Sequence, residues 1–414
     1  MRMLPFRPIV SALRRHPLMP LLVAVQVALT CAILANAIFL LQRQVAPLLI
    51  DDGIPRDRLF LVDNLVARHG NWNAAQIRTG TEALRAVPGV EAVAPALGLP
   101  MKQTLSFNLG LRGPTGTTAV SSGFAGDGLR EALGLELVQG RDFLPGESAT
   151  VDLGGRGVDI PSGTPVILTA ALARFFFPDG DALGGRLEQT SGDRHLVVVG
   201  IVRRLLRYEM GELDDGRANF SILLPARIQS TPVLNYAVLI DTGHVDGIEG
   251  MINEVLDRTF GSLQMPGIGP RVDRFEDLRT AAFRSRRAAV WLLSTVIVVV
   301  LLVSGIGIAS LSGYWVEQRT RTIGVRRALG ASRADILRHF LAENFIVISV
   351  GIVPGLIGAY AVNQWLMQHY AMARLPLAYL PAAAIALWAL GQIAVFGPAR
   401  RAAAVPPAVA TRSV

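Results

Sequence analysis

Catalysis or metal binding requires acids, bases or ligands brought together, and the candidates in this chain are few and scattered. His69, His195 and His244 are widely spaced, and no His-Glu-x-x-His run sets two imidazoles one helical turn apart around zinc. Asp51-Asp52 and Asp214-Asp215 are acidic pairs near turn residues, and solvated loops account for them. The single cysteine, Cys31, can form no disulfide within the chain and excludes a cysteine-based metal site. A nucleotide-binding P-loop needs Gly-Lys-Ser/Thr to hold phosphates. Of 40 basic residues the one lysine, Lys102, stands between Met101 and Gln103. Heavy use of arginine with alanine and glycine reads as compositional bias and not as chemistry. These residues predict no catalytic site, no metal site, no cofactor bound by this chain and no means of hydrolysing ATP alone.

The elements that would carry a function are membrane helices. The chain of 414 residues is 51% hydrophobic and 17% charged, against about 25% charged for a soluble domain. The apolar excess sits in four runs, each long enough for the roughly 20 residues that cross a bilayer. Leu18 to Leu41 carries no charge. Ala35-Asn36-Ala37 has the small-x-small form of a signal cleavage site, but a signal core is usually about 7–15 residues, and this run continues past it. The expected fold is an α-helical membrane protein with four transmembrane helices and a large mixed α/β domain inserted between the first and second. The expected segments are a tail at 1–17, helix one at 18–42, the insert at 43–287, helix two at 288–312, a loop at 313–339, helix three at 340–367, helix four at 377–397 and a tail at 398–414.

Net charge of +8 admits nucleic acid as a partner. Here the arginines cluster beside the apolar runs, so they set orientation and no nucleic-acid partner is expected. Arg2, Arg7, Arg14 and Arg15 precede the first run. Arg319, Arg321, Arg326, Arg327, Arg333 and Arg338 lie between the second and third, and Arg400, Arg401 and Arg412 follow the fourth. The positive-inside rule therefore predicts a multi-pass inner-membrane protein with both termini and the 313–339 loop cytoplasmic and the insert periplasmic. Arg279, Arg284, Arg286 and Arg287 run against that rule, and a helical stalk presenting them to lipid headgroups is expected.

Gln26, Thr30 and Asn36 are polar groups in the first run, read as hydrogen-bonding to neighbouring helices. Gly305, Ala309 and Gly313 recur every four residues, as do Gly351, Gly355 and Ala359. Small residues at that spacing let helices approach closely in lipid, so both stripes are predicted packing faces. No charge lies mid-span, which argues against an ion-driven carrier.

The insert alternates α and β signals. Ala74 to Val87 and Ala170 to Phe176 read as helices; Pro165 to Leu168, His195 to Val202, Phe220 to Leu224 and Tyr236 to Ile240 read as strands. Ile248, Ile252, Val255 and Leu256 recur at helical spacing.

The most informative stretch is Gly313 to His339. Thr320 to Leu329 is a plausible helix, with Gly330 placed as its left-handed cap. Ser332 to Asp335 then fits a capping box that starts a second helix. Two helices meeting at Gly330-Ala331-Ser332 suit a rigid docking element; an arginine-rich interfacial anchor is the plainer alternative. The run Glu317-Gln318-Arg319-Thr320-Arg321-Thr322-Ile323-Gly324-Val325-Arg326-Arg327-Ala328-Leu329-Gly330-Ala331-Ser332 closely resembles the signature block of MacB/FtsX-like ABC transporter permeases. Pro398-Ala399-Arg400-Arg401-Ala402-Ala403 resembles the same family's C-terminal block. In the insert, Gly140-Arg141-Asp142-Phe143 and Val197 to Val202 resemble MacB-like motifs more weakly. Thr322 departs from the glutamate usual there.

The resemblance implies a MacB-type periplasmic domain, with a second lobe at about 121–224, and a permease without a fused ATPase domain. It implies that Glu317, Arg319, Arg321, Gly324, Arg326, Arg327, Leu329, Gly330, Ala331, Ser332 and Asp335 couple to a cytoplasmic ABC ATPase subunit, which binds ATP and Mg. A second permease copy or paralogue, membrane lipid and, in a cell with two membranes, a periplasmic adaptor and outer-membrane channel are the other implied partners. The implied function is ATP-driven export or extrusion through movement of the periplasmic domain. An FtsX-like regulator of a cell-wall hydrolase is the alternative. A sensor would need a larger cytoplasmic output domain, and an enzyme a clustered catalytic set.

Overall fold

The computed structural model describes residues 18–153, 157–158, 160–207, 216–243, 247–370 and 374–404. Two compact units emerge: one combines the chain up to Val45 with that from Arg286 onward, the other is Ala46–Ser285. Asp214-Asp215 and His244 lie outside the described residues.

The first unit is helical. Helix α1 is Leu18–Leu48. Arg284–Gln318, Thr320–Ala328, Arg333–Tyr370 and Leu380–Ala404 form four further helices, the last preceded by a 3-10 turn at Leu377–Tyr379. Four of these helices are long and apolar enough to cross a membrane. Their polar groups are satisfied between helices, as lipid demands. The Thr30 and Ser304 hydroxyls lie 2.6 Å apart, and Gln26 Nε2 donates to the Ser304 carbonyl at 3.3 Å. Asn36 Nδ2 donates to the Ala359 carbonyl at 3.1 Å, and Asn344 Nδ2 to that of Gly391 at 3.0 Å. The helices outrun the expected spans: the first reaches Leu48, the second runs from Arg284 to Gln318, the last reaches Ala404, and the helix expected after Ser332 is the opening of the third span itself, continuous from Arg333.

The second unit is built on sheets. Strands β1 (Leu59–Val66), β2 (Trp72–Asn73), β3 (Val90–Pro95), β4 (Phe107–Arg112) and β5 (Thr118–Ala125) come first, with α2 (Ala74–Arg85) between β2 and β3. Helix α3 (Leu129–Ala132) leads to β6 (Leu137–Gly140), β7 (Ala149–Asp152), β8 (Gly157–Val158) and β9 (Thr164–Thr169). After α4 (Ala170–Phe176) come β10 (Arg186–Gln189), β11 (His195–Val202), β12 (Ser221–Leu224), β13 (Ala226–Thr231) and β14 (Val233–Ile240). The unit closes with α5 (Ile248–Phe260), β15 (Arg271–Arg274) and α6 (Phe275–Ala282). Helices α7 (Arg284–Gln318), α8 (Thr320–Ala328), α9 (Arg333–Tyr370) and α10 (Leu380–Ala404) complete the count.

One sheet runs β15-β1-β14-β3, antiparallel throughout. A second, of seven strands, runs β10-β4-β5-β12-β9-β11-β6, and a third runs β2-β13-β7-β8. The seven-stranded sheet takes in β4 and therefore starts ahead of residue 121. The first sheet is covered by α2 and α5. Ile77 and Leu84 of α2 and Ile248, Ile252, Leu256 and Phe260 of α5 are buried in one core with Tyr236. Gly80 permits that approach, since a Cβ there would lie 2.5 Å from the Tyr236 hydroxyl oxygen. That hydroxyl donates to the Ile77 carbonyl at 2.9 Å, and burial pushes its pKa above the ordinary tyrosine value. In the second sheet, Arg141 after β6 forks onto Glu147 at 2.7 and 2.8 Å. The guanidinium holds that carboxyl below the usual range, so the pair's small contribution is present at neutral pH and lost as pH falls through the lowered value.

Lys102, unremarkable in sequence, is an anchor in the fold. Its Nζ meets Asp63 Oδ1 at 2.9 Å and Asp273 Oδ2 at 2.5 Å, with the lysine and Asp63 side chains 8% and 7% exposed. The pairing of β1 with β14 slips between Val62 and Leu65, and the bulge re-aims Asp63. Asn64, Met101 and Leu105, the non-glycine residues at positive φ among the described residues, all flank this ion cluster. Such strain, about 1–3 kcal/mol per residue, persists only where surrounding contacts over-determine it, and a buried ion cluster can do that. Removing one partner of a buried pair costs about 3–5 kcal/mol. Lys102→Met is therefore expected to lower the thermal unfolding midpoint of the insert. Adding Asp63→Asn should cost less than the sum of the single changes; additive losses would show that the two groups do not support one another.

Candidate functional site

The elbow between the second and third spans is where the sequence concentrated its candidate residues. Helix α7 continues to Gln318, and the chain bends at Arg319 into α8. At the far end of α8, Gly330 takes φ +96°. Its N–H donates to the Arg327 carbonyl and the Ala331 N–H to the Arg326 carbonyl, both at 3.1 Å. That nested pair is a Schellman cap. Ser332 then starts α9. Its hydroxyl donates to Asp335 Oδ2 at 2.6 Å, and the Asp335 N–H donates back to the Ser332 oxygen at 3.2 Å.

The elbow has an inner and an outer face. Ile323 and Ile336 turn inward with Val316 and pack on Ala402 and Ala403 near the end of α10, with Phe340 beside them. Gly324 is buried as well. Arg319 also turns inward: its Nη1 meets Glu343 Oε1 at 2.9 Å, with the glutamate side chain 3% exposed, and its guanidinium lies 4.6 Å from the Trp315 ring centroid. Outward stand Glu317, Arg326, Val325 and Leu329, the last 83% exposed. Arg327 is half-buried and Ala331 partly covered. The Arg321 side chain lies outside the described residues. The predicted set thus divides: Arg319 and Gly324 build the base, Gly330, Ser332 and Asp335 set the bend, and Glu317, Arg326 and Leu329 face out. Val325, 48% exposed, belongs with Leu329 one turn away, a spacing readable in the sequence. Glu343, the partner of Arg319, lies too far along the chain for any local pattern to reveal.

The two stripes of small residues are used differently. At Gly351 a Cβ would meet the Ala24 carbonyl oxygen at 2.5 Å; at Gly355 it would meet Cys31 Cβ at 2.6 Å and the Ala28 carbonyl oxygen at 2.7 Å. Ala359 is fully buried, so this face of α9 is seated on α1. On α7, Gly305 faces Leu390 at 3.3 Å, Ala309 is half-covered, and Gly313 has nothing within 4 Å. The close approach to Gln26 of α1 is made by Gly307, which the every-fourth-residue pattern passes over.

The second unit contains a further junction that sequence reading missed. Arg279 is 4% exposed and does not lie on a lipid-facing stalk. Its Nε meets Asp52 Oδ2 at 2.9 Å, and its Nη2 donates to the Leu48 and Ile50 carbonyls at 3.2 Å each. Its guanidinium also lies 4.8 Å from the Phe283 ring centroid. Asp52, with a fully buried side chain, takes a second arginine, Arg56, at 2.5 Å. The expected solvated Asp51-Asp52 loop is thus half wrong: Asp51 is exposed and Asp52 is a core ion. Among the described residues no group of three His, Cys, Asp or Glu could hold a metal.

Two expectations follow. Gly355→Leu should separate α9 from α1 and lower the detergent-solubilised melting temperature, whereas Gly313→Leu should leave it within a degree or so, a contrast that thermal scanning of the two variants tests. Arg279→Met, which takes one of two arginines from the buried Asp52 carboxylate and the Nη2 donor from the Leu48 and Ile50 carbonyls, should make the bonds flanking Leu48 and Phe283 sensitive to limited proteolysis; an unchanged cleavage pattern would deny the stitch its structural role.

The sequence of residues 294–407 matches the FtsX-like permease C-terminal family. The chain is 33% identical over 178 residues to the macrolide export ATP-binding/permease protein MacB of Brucella abortus, covering 42% of this chain and 26% of that protein. It is 24% identical over 353 residues to MacB of Hahella chejuensis, covering 82% and 49%. It therefore spans half or less of the length of these curated relatives. The crystal structure of the periplasmic region of MacB from Actinobacillus actinomycetemcomitans aligns at 14% identity and TM-score 0.35, over 57% of this chain and 97% of that one, a likeness too slight to place any residue. Residues 294–407 thus carry an FtsX-like permease C-terminal domain, and the chain is similar over longer stretches to MacB-type ATP-binding/permease proteins.

Proposed function

We propose that this chain is the membrane subunit of an ATP-driven exporter, that a separate cytoplasmic ABC ATPase docks on the elbow, and that closure of the ATPase moves the periplasmic insert to extrude a substrate. The observation that carries the reading is the two-faced elbow: a base packed on α10 and tied by Arg319 to Glu343, beneath an outward ridge of Val325, Arg326 and Leu329. A flexible anchor has no need of such a base. A fixed base under an exposed ridge passes an applied force straight into α7 and α9, which start and end there. ATP and Mg would be bound by the partner, and both termini would share the elbow's side of the membrane.

Helix α7 supports pairing of two permeases. Only 11% of its most apolar window is buried within the chain, against 39% for α1, so its outer face must meet lipid or a second copy or paralogue. A periplasmic adaptor and outer-membrane channel complete the proposed machine where the cell has two membranes.

The test is Gly330→Val. The site has open space around it, so no clash confuses the result, but a β-branched residue at φ +96° is strained. Mild-detergent purification from the native host should recover an ABC ATPase with the parent chain and at least ten-fold less of it with the variant, at equal membrane expression. Recovery of a cell-wall hydrolase in place of an adaptor would move the assignment from export to regulation. Equal ATPase recovery with Gly330→Val would remove the docking role from the elbow.

A further inference from the structure

As α7 nears the elbow, one of its faces carries a hydroxyl among apolar groups. Ser312, Trp315 and Val316 follow at spacings of three and four, which sets them on one side of the helix. On α9, Phe340, Glu343, Asn344 and Val347 repeat that spacing. These residues, with Val23 of α1 and Val395 of α10, line a pocket of about 20 Å³. All four long helices of the helical unit therefore meet around one small space.

The polar atoms of this pocket are left over from bonds made elsewhere. Glu343 gives Oε1 to Arg319 at 2.9 Å. Asn344 donates from Nδ2 to the Gly391 carbonyl at 3.0 Å. Among the described residues, Glu343 Oε2, Asn344 Oδ1 and Ser312 Oγ have no partner. Glu343 and Asn344 are both more than nine-tenths buried. A helical serine can turn its hydroxyl back to the carbonyl four residues earlier, as Ser349 does to Phe345; Ser312 does not. Nor are the three oxygens sealed. The unpartnered Asn235 Oδ1 is closed to a water-sized sphere, whereas these three are open to one.

Size and charge select the occupant. A buried water needs a cavity of roughly 10–15 Å³, so the pocket admits one. Sites for larger ligands run to roughly 300–1,000 Å³, which excludes a lipid chain, a headgroup or a nucleotide. Arg319 already balances the Glu343 carboxylate, so no unmatched charge calls for a cation. Two acceptors and one hydroxyl are what a single water satisfies. It donates one O–H to Glu343 Oε2 and the other to Asn344 Oδ1, and it accepts from Ser312. Among helices packed in lipid such groups must be met from within.

We propose that this pocket is a binding site for one ordered water that bridges α7 to α9. Glu343 then holds its neighbour twice, directly at the elbow through Arg319 and two turns earlier through the water to Ser312. The site is built by the helical unit alone and does not depend on ATPase docking.

The test compares Ser312→Val with Ser312→Thr in the full chain in detergent. The two side chains share shape and β-branching, so the difference between them reports the hydroxyl. Ser312→Thr should melt about 2 °C or more above Ser312→Val. A dry pocket would reverse that order, because a buried hydroxyl without a partner is worse than a methyl group. In a density map of the parent chain that resolves buried waters, a peak should stand about 2.5–3.0 Å from each of the three oxygens. Ser312→Val melting at or above Ser312→Thr, or a parent map without that peak, would overturn the proposal. So would a melting temperature raised by sodium chloride over choline chloride at equal ionic strength, with the gain lost in Ser312→Val, since that gives the site to a cation.

Discussion

An insert between two membrane helices must begin and end at nearly the same place, and here one buried arginine enforces that condition. Arg279 reaches back more than two hundred residues of sequence to Asp52 and to the carbonyls of Leu48 and Ile50. Burying a charge is costly unless it is paired and hydrogen-bonded, and this guanidinium has a carboxylate, two carbonyls and an aromatic face. Leu48 ends α1, and Phe283 directly precedes α7. With the two ends of the insert fastened to one another, the sheets between them can be elaborate without pulling those ends apart.

The helical unit relies on a different balance. Apolar side chains gain nothing from meeting each other over meeting lipid, so close packing and hydrogen bonds must hold the helices together. The glycines at 351 and 355 bring α9 onto the backbone of α1, and Thr30, Ser304, Asn36 and Asn344 bond across helices where water is absent. Helix α7 shares least in this packing. It is also the helix that runs unbroken from the edge of the insert to the elbow.

The elements legible in sequence were those written in local patterns. The long apolar runs, the α5 periodicity, the Gly330 cap and the Ser332 box all depend on residues within a turn or two of each other. What stayed hidden depends on partners distant in the chain. Asp52 looked like any acidic loop residue because Arg279 lay out of sight, and Lys102 looked like an accident of composition because Asp63 and Asp273 meet it only in the folded sheet. The elbow was found by its block of residues, yet Arg319 proved to be part of its foundation. The every-fourth-residue glycine pattern identified the face on α9 that is used, and on α7 it passed over Gly307, since a spacing rule does not know which side the neighbour stands on.

The bend at Gly330 is demanding in one respect only. No atom crowds the place where a side chain would project, so size is no obstacle; the backbone sign is. The requirement is therefore one of handedness. A residue of the opposite hand, D-alanine, accepts a positive φ without strain and has less backbone freedom to lose than glycine has. The elbow could thus be stiffened by placing one D-configured residue there, which ribosomal chemistry does not offer, and glycine is the nearest substitute available to a genetically encoded chain.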